Sequence, residues 1–198
     1  MKHVFLSIFL MTAVSQDLFS QKIKFESAGI QGGPSLVFTT LDRLHDGNIY
    51  RHRGTKFSFH SGIQTDWNIT KKFDSEITLT LGQREFKDNS VLFFSDLVTY
   101  VSLQFVPKYK ITKKLSVGIG MEPTYYFEKT VINRKFDIMI PVKVSYSLFS
   151  FANLGLSYKH GLLNLGKNNV IKRKYGDIQF SLYFPLFKSK SERNIKDL

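Results

Sequence analysis

Three features of this 198-residue sequence predict an all-β protein, an eight-stranded antiparallel up-and-down barrel crossing a membrane with its strands. Eight stretches alternate apolar and polar residues, as a strand requires when successive side chains point to opposite faces. Short and long connections between the stretches alternate strictly. After the amino terminus no run of about 18 uncharged apolar residues occurs, so membrane crossing by helices is excluded.

Met1-Lys2-His3 begins the chain and is followed by an uncharged run from Val4 to Gln16, apolar through Val14. That run falls short of the roughly 20 residues a spanning helix needs and matches the core of a secretory signal peptide. Cleavage at Ser20-Gln21 puts a small residue at the cut, with Leu18 a poor residue two places earlier. The expected organisation is a signal peptide over 1–20, a barrel over 21–187 and a charged periplasmic tail over 188–198. Removing 1–20 takes away Lys2 and Asp17, one charge of each sign, and leaves the net charge unchanged.

The first strand, near Lys24–Thr39, has the weakest pattern because Gly32-Gly33-Pro34 interrupts it. In the second, Phe57, Phe59, Ile63, Trp67 and Ile69 oppose Ser58, His60, Gln64, Asp66 and Asn68. In the third, Ile77, Leu79 and Leu81 oppose Glu76, Thr78 and Thr80. The fourth sets Leu97, Val101, Leu103 and Phe105 against Tyr100, Ser102 and Gln104. The fifth sets Leu115, Val117, Ile119 and Met121 against Ser116, Gly118, Gly120 and Glu122. Phe136 through Leu148 alternate with Asp137, Lys143, Ser145 and Ser147 in the sixth. Leu154, Leu156, Tyr158 and Leu162 do so with Asn153, Gly155, Ser157 and Lys159 in the seventh. The eighth is the clearest, with Ile178, Phe180, Leu182, Phe184 and Leu186 against Asp177, Gln179, Ser181, Tyr183 and Pro185.

Thr70-Lys71-Lys72, Thr112-Lys113-Lys114 and Phe149-Ser150 read as tight turns, and Thr40–Gly54, Arg84–Ser95, Lys129–Lys135 and Asn164–Lys174 as longer loops. In outer-membrane barrels the short turns face the periplasm. A soluble lipocalin-like barrel around an apolar ligand is the competing reading, because alternation does not say which face points inward. Strands of about 10–14 residues, against the 9–11 that cross a bilayer at a tilt, favour the apolar face outward. So do aromatic residues crowding the strand ends, and charges of both signs on the polar face.

With 42% hydrophobic and 15% aromatic residues the chain is not a disordered tail. Zero cysteine excludes disulfide scaffolds, Cys-ligated zinc, thiol catalysis and a lipoprotein anchor. Twenty-eight Lys and Arg against 16 Asp and Glu give a net charge of +12, which suits a phosphate-rich surface. Nucleic acid is not expected as a partner, since no groove-entering helix or RNP-like motif is present.

Phe105-Val106-Pro107-Lys108-Tyr109 leading into Leu115-Ser116-Val117-Gly118-Ile119-Gly120, then Ile140-Pro141-Val142-Lys143-Val144-Ser145-Tyr146, then Gly155-Leu156-Ser157-Tyr158-Lys159-His160-Gly161-Leu162, resemble the small outer-membrane β-barrel family of Bacteroidota-type bacteria. The resemblance covers most of the mature chain and implies a porin-like or PorT-like barrel. It brings no catalytic residue.

Four lumen-phase charges, Glu76, Glu122, Lys143 and Lys159, are expected to form a buried ionic plug, because an eight-stranded barrel is just wide enough for side chains to fill it. Basic clusters containing Arg51, Arg53, Arg134, Lys135, Lys172, Arg173 and Lys174 are expected on outer loops facing lipopolysaccharide phosphates. His45, Asp46 and His52 offer metal-ligand chemistry, but nothing fixes their geometry and Asp46-Gly47 is an ordinary turn dipeptide. His60 and Ser61 are neighbours on a strand and face opposite ways, so they make no catalytic pair. His160 falls on the apolar phase. No enzyme activity, metal or cofactor is expected. The expected partners are outer-membrane lipid and lipopolysaccharide, the barrel-assembly machinery, and a periplasmic protein reached through the tail. The expected role is structural, adhesive or accessory to an envelope or secretion machine.

Overall fold

A computed structural model describes residues 23–45, 48–87, 95–127, 135–165 and 171–189. Nine strands follow one another: β1 Lys24–His45, β2 Asn48–Asn68, β3 Phe73–Lys87, β4 Ser95–Lys110, β5 Leu115–Ile119, β6 Glu122–Tyr126, β7 Phe136–Phe149, β8 Ala152–Gly161 and β9 Ile171–Lys188. All pairings are antiparallel; they join chain neighbours except that β4 also pairs with β6 and β7 with β5, and β1 pairs with β9 from Ser27–Lys188 to Arg43–Ile171, which closes the ring.

β5 and β6 are two halves of a single barrel strand. Lys108 pairs with Gly118 and Tyr100 with Tyr126 in one unbroken register along β4, and Phe105 pairs with Met121 between them. The interruption traces to Pro141 on β7. Gly120 N–H donates to the Pro141 carbonyl at 2.9 Å, but proline has no N–H to return the bond. The barrel therefore has eight strands across its wall, all antiparallel.

Gly32-Gly33-Pro34 does not break β1. It stays paired to β2 throughout, while its ladder to β9 lapses at Gly33 and Pro34. A Cβ on Gly33 would sit 2.0 Å from the Phe180 carbonyl oxygen, a backbone approach that only glycine permits. The longest expected loop, Thr40–Gly54, is instead a ribbon: β1 and β2 remain paired rung by rung from Thr40–Arg53 to His45–Asn48. Turn dipeptide Asp46-Gly47 lies outside the described residues, as do 1–22, most of the tail (190–198) and Arg134. Lys188, assigned to the tail by sequence, is the last residue of β9.

The faces are sorted opposite to a soluble barrel. Ile63, Ile77, Leu79, Leu103, Phe105, Val142, Leu156 and Phe180 stand exposed around the outside. Their polar neighbours Gln64, Thr78, Ser102, Gln104, Lys143, Ser157 and Gln179 are buried inside. A lipocalin-like barrel holding an apolar ligand is thus not what the chain forms: its lumen is polar. Aromatic pairs flank the belt. Phe25–Trp67 and Phe73–Tyr109 meet edge-on at 5.4 and 5.2 Å, and Phe149 stacks on Phe151, at the end bearing the short turns. Phe57–Phe59 and Tyr125–Phe127 do so at the far end. This is the girdle arrangement of membrane barrels.

Candidate functional site

The lumen gathers the charged side chains, and strand register decides which of them meet. Inward positions recur every second residue, so β3 delivers Glu76 and Arg84, β4 Lys108, β6 Glu122, β7 Lys143, β8 Lys159 and β9 Asp177 to one narrow column. Glu76 and Glu122 are 0% exposed, and Arg84 and Lys159 are 1% exposed. Charges so deeply buried persist only when paired and hydrogen-bonded.

Near the turn end, Lys108 Nζ donates to Asp66 Oδ1 at 2.9 Å and to Glu76 Oε2 at 3.2 Å, while Lys143 donates to Glu76 Oε1. Asp66 also accepts from Ser27 at 3.2 Å and from the Gln64 amide. Farther along, Lys159 Nζ lies 2.6 Å from Glu122 Oε2, a charge contact rather than a well-aligned hydrogen bond. Toward the other end, Arg84 pairs with Asp177 at 2.7 Å, donates to the Tyr126 hydroxyl and lies 4.1 Å above the centre of the Tyr100 ring. Four acids and four bases thus neutralise one another along the column.

Small residues make room for these groups. Gly118 faces Lys143 across the β5–β7 ladder, and a Cβ on Gly155 would come within 3.1 Å of the Lys143 stem. A Cβ on Gly82 would lie 2.6 Å from the Tyr100 ring. Around and beyond Arg84, Val98, Tyr100, Tyr126, Tyr175 and Leu165 form a buried cluster. Leu165 follows β8, on a segment anchored by Leu162 N–H to the Ile138 carbonyl and by Leu163 N–H to Asp137 Oδ1, at 2.9 and 3.0 Å.

Glu76, Glu122, Lys143 and Lys159 therefore all sit in the column. Lys108, Asp66, Arg84 and Asp177 complete it; alternation places Arg84 and Asp177 among the polar-face charges able to pair in a narrow lumen, whereas Lys108 and Asp66 join the expected charges only here. Their signal was the same phase: Lys108 continues Ser102 and Gln104, and Asp66 continues Gln64. At the end opposite the turns, Arg51, Arg53 and Lys174 are exposed, whereas the side chains of Lys172 and Arg173 lie outside the described ones. Lys135 Nζ is 5.6 Å from the Tyr125 ring centre and donates to the Phe127 carbonyl. Arg51 is held bidentately by Asp42, at 2.8 and 3.0 Å, and that carboxylate raises the guanidinium pKa above its ordinary value.

His60 is buried, with Nδ1 3.1 Å from Ser35 Oγ and Nε2 2.8 Å from Ser181 Oγ, while Ser61 is exposed on the opposite face. The ring bridges β1, β2 and β9 inside the barrel. His160 is exposed on the outer face. The side chains of His45 and His52 lie outside the described ones, and among the described residues no three His, Asp or Glu gather around a metal-sized space.

No family model matches the chain, and no curated protein matches it. Solved structures similar to it are small barrels. Neisserial surface protein A is 12% identical, with a TM-score of 0.46 over 81% of this chain and 100% of that one. The outer membrane protein OprG of Pseudomonas aeruginosa is 14% identical, with a TM-score of 0.42 over 82% and 94%. Ail, the attachment invasion locus protein of Yersinia pestis, is 12% identical, with a TM-score of 0.38 over 78% and 98%.

Proposed function

We propose that the protein is an integral outer-membrane barrel of the small porin-like or PorT-like kind, with a structural, adhesive or envelope-accessory role and no catalysis. The observation that carries this reading is the inverted sorting of the wall: an apolar belt outside, bounded by aromatic pairs at both ends, around a lumen of paired charges. Water would not tolerate so large an apolar belt on a monomer, whereas lipid requires it. The Glu76, Glu122, Lys143 and Lys159 column is read as a plug, because paired side chains reaching across a narrow lumen leave little aqueous path.

Arg51, Arg53, Lys135 and Lys174 are read as contacts for lipopolysaccharide phosphates, since cations beyond an outer girdle meet that anionic layer. Lipid, the barrel-assembly machinery and a periplasmic protein partner complete the reading. Nucleic acid has no part in it.

Fractionation and electrophoresis test the placement together. The protein should stay with the membrane through carbonate extraction, and unheated samples should migrate differently from boiled ones, as closed barrels do. Recovery in the soluble fraction without detergent would overturn the proposal.

A further inference from the structure

The described lumen ends, on the side of the short turns, in a vestibule of about 800 Å³. Volumes of this order hold small ligands. The Asp66–Lys108 pair lines its inner side. Its rim carries Lys71 from the β2–β3 turn and Lys113 and Lys114 from the β4–β5 turn.

The charge balance of this space is uneven. Six lysines line it against three carboxylates, Glu26, Asp66 and Asp74. Asp66 is taken by Lys108 at 2.9 Å and Asp74 by Lys110 at 2.7 Å. Lys71, Lys113 and Lys114 make no ion pair among the described residues. Beside them stand hydroxyls of Ser116, Ser145 and Ser147 from the adjacent β5 and β7 ends. The Ser145 Oγ is buried and bonded to nothing among the described residues. Three exposed ammonium groups beside a set of hydroxyls suit an oxyanion with several acceptor oxygens, which takes charge-assisted bonds from many directions.

We propose that the turn-end vestibule binds a phosphate-bearing anion presented from the side of the short turns. The chemistry is shared by a phospholipid headgroup of the facing leaflet and by a small soluble phosphate compound. This site is separate from the outer basic residues; it rests on the proposed membrane placement but not on which role the barrel has.

The probe is inorganic pyrophosphate, titrated against the full chain in phosphatidylcholine nanodiscs. Saturable, salt-sensitive binding is expected, weakened about tenfold or more in the triple variant Lys71→Gln, Lys113→Gln, Lys114→Gln. Gln83→Ala, exposed on the outer wall away from the turns, should leave it unchanged. Heat-modifiable migration checks that each variant has folded. If nanodiscs enriched in phosphatidylglycerol suppress the binding, the headgroup is the source; if they do not, a soluble anion is. Absence of saturable binding in phosphatidylcholine, or binding indifferent to the triple variant, overturns the proposal. So does binding that emerges only when residues 190–198 are removed, which would assign the vestibule to the chain's own tail.

Discussion

Arg84 carries its charge between Asp177, the Tyr126 hydroxyl and the face of Tyr100, with Met139 sulfur 3.2 Å from Nη2. Removing one member of such a buried pair strands the other. Arg84→Ala should therefore cost about 3–5 kcal/mol in urea unfolding from micelles. Replacing both members, as Arg84→Met with Asp177→Leu, should cost far less, because no charge is left uncompensated. Gly82→Val probes the same region sterically. Its first side-chain carbon would fall 2.6 Å from the Tyr100 ring, so a loss of about 1–3 kcal/mol is expected. Tyr100→Ala in the same chain should relieve most of that loss. A strictly additive double variant would mean that the ring and the glycine do not share that space.

In the proposed membrane placement, position along a strand sets depth. Leu79 lies midway along β3 on the outer face, 48% exposed, while Phe73 begins the strand beside the turn. Leu79→Arg should destabilise folding into bilayers by about 2–4 kcal/mol, and Phe73→Arg by only about 0–1 kcal/mol. Equal effects at the two positions would refute the assigned belt. At the other end of the chain, β9 makes its last rung to β1 at Lys188–Ser27, and Ser189 N–H donates to the Glu26 carbonyl at 2.9 Å. Deleting residues 190–198 leaves every described rung of the seam in place, so insertion and heat-modifiable migration should be unchanged.

At the scale of the whole molecule, the lumen network neutralises four acids with four bases, and the net charge of +12 is therefore displayed elsewhere on the chain. Read as a plug, this network interrupts the water path through the lumen. Planar-bilayer recordings of the native protein should give no steady open channel. A sustained ohmic step in the native protein would show that the ionic column does not block the lumen.

Much of this architecture is legible in the primary sequence because a strand's period of two is a local property. Ile178 through Leu186 announces β9 without help from any other segment, and each of the eight alternating stretches forms part of the wall. Two of the short turns are legible too, from Thr-Lys-Lys between apolar runs, whereas the third has only Ser150 as a polar signal and Phe149 ends β7 rather than entering the turn. Gly32-Gly33-Pro34 and Pro141 are not legible, since their effect depends on which neighbour each exposes its backbone to. Alternation separates two faces but does not say which turns inward; in the closed wall the buried Gln64, Thr78 and Gln179 and the exposed Ile63, Leu79 and Phe180 settle that. Nor does it say that Lys143 reaches Glu76, that Lys159 reaches Glu122, or that Lys108 and Asp66 complete the column. Those pairs are far apart in the chain, and only the register between strands brings them to one level. The sequence by itself thus determined the strands, their phase and the order of turns. Tertiary structure decided the direction of the polar face, the partners of each buried charge and the vestibule at the turns, because all three depend on contacts between residues distant in sequence.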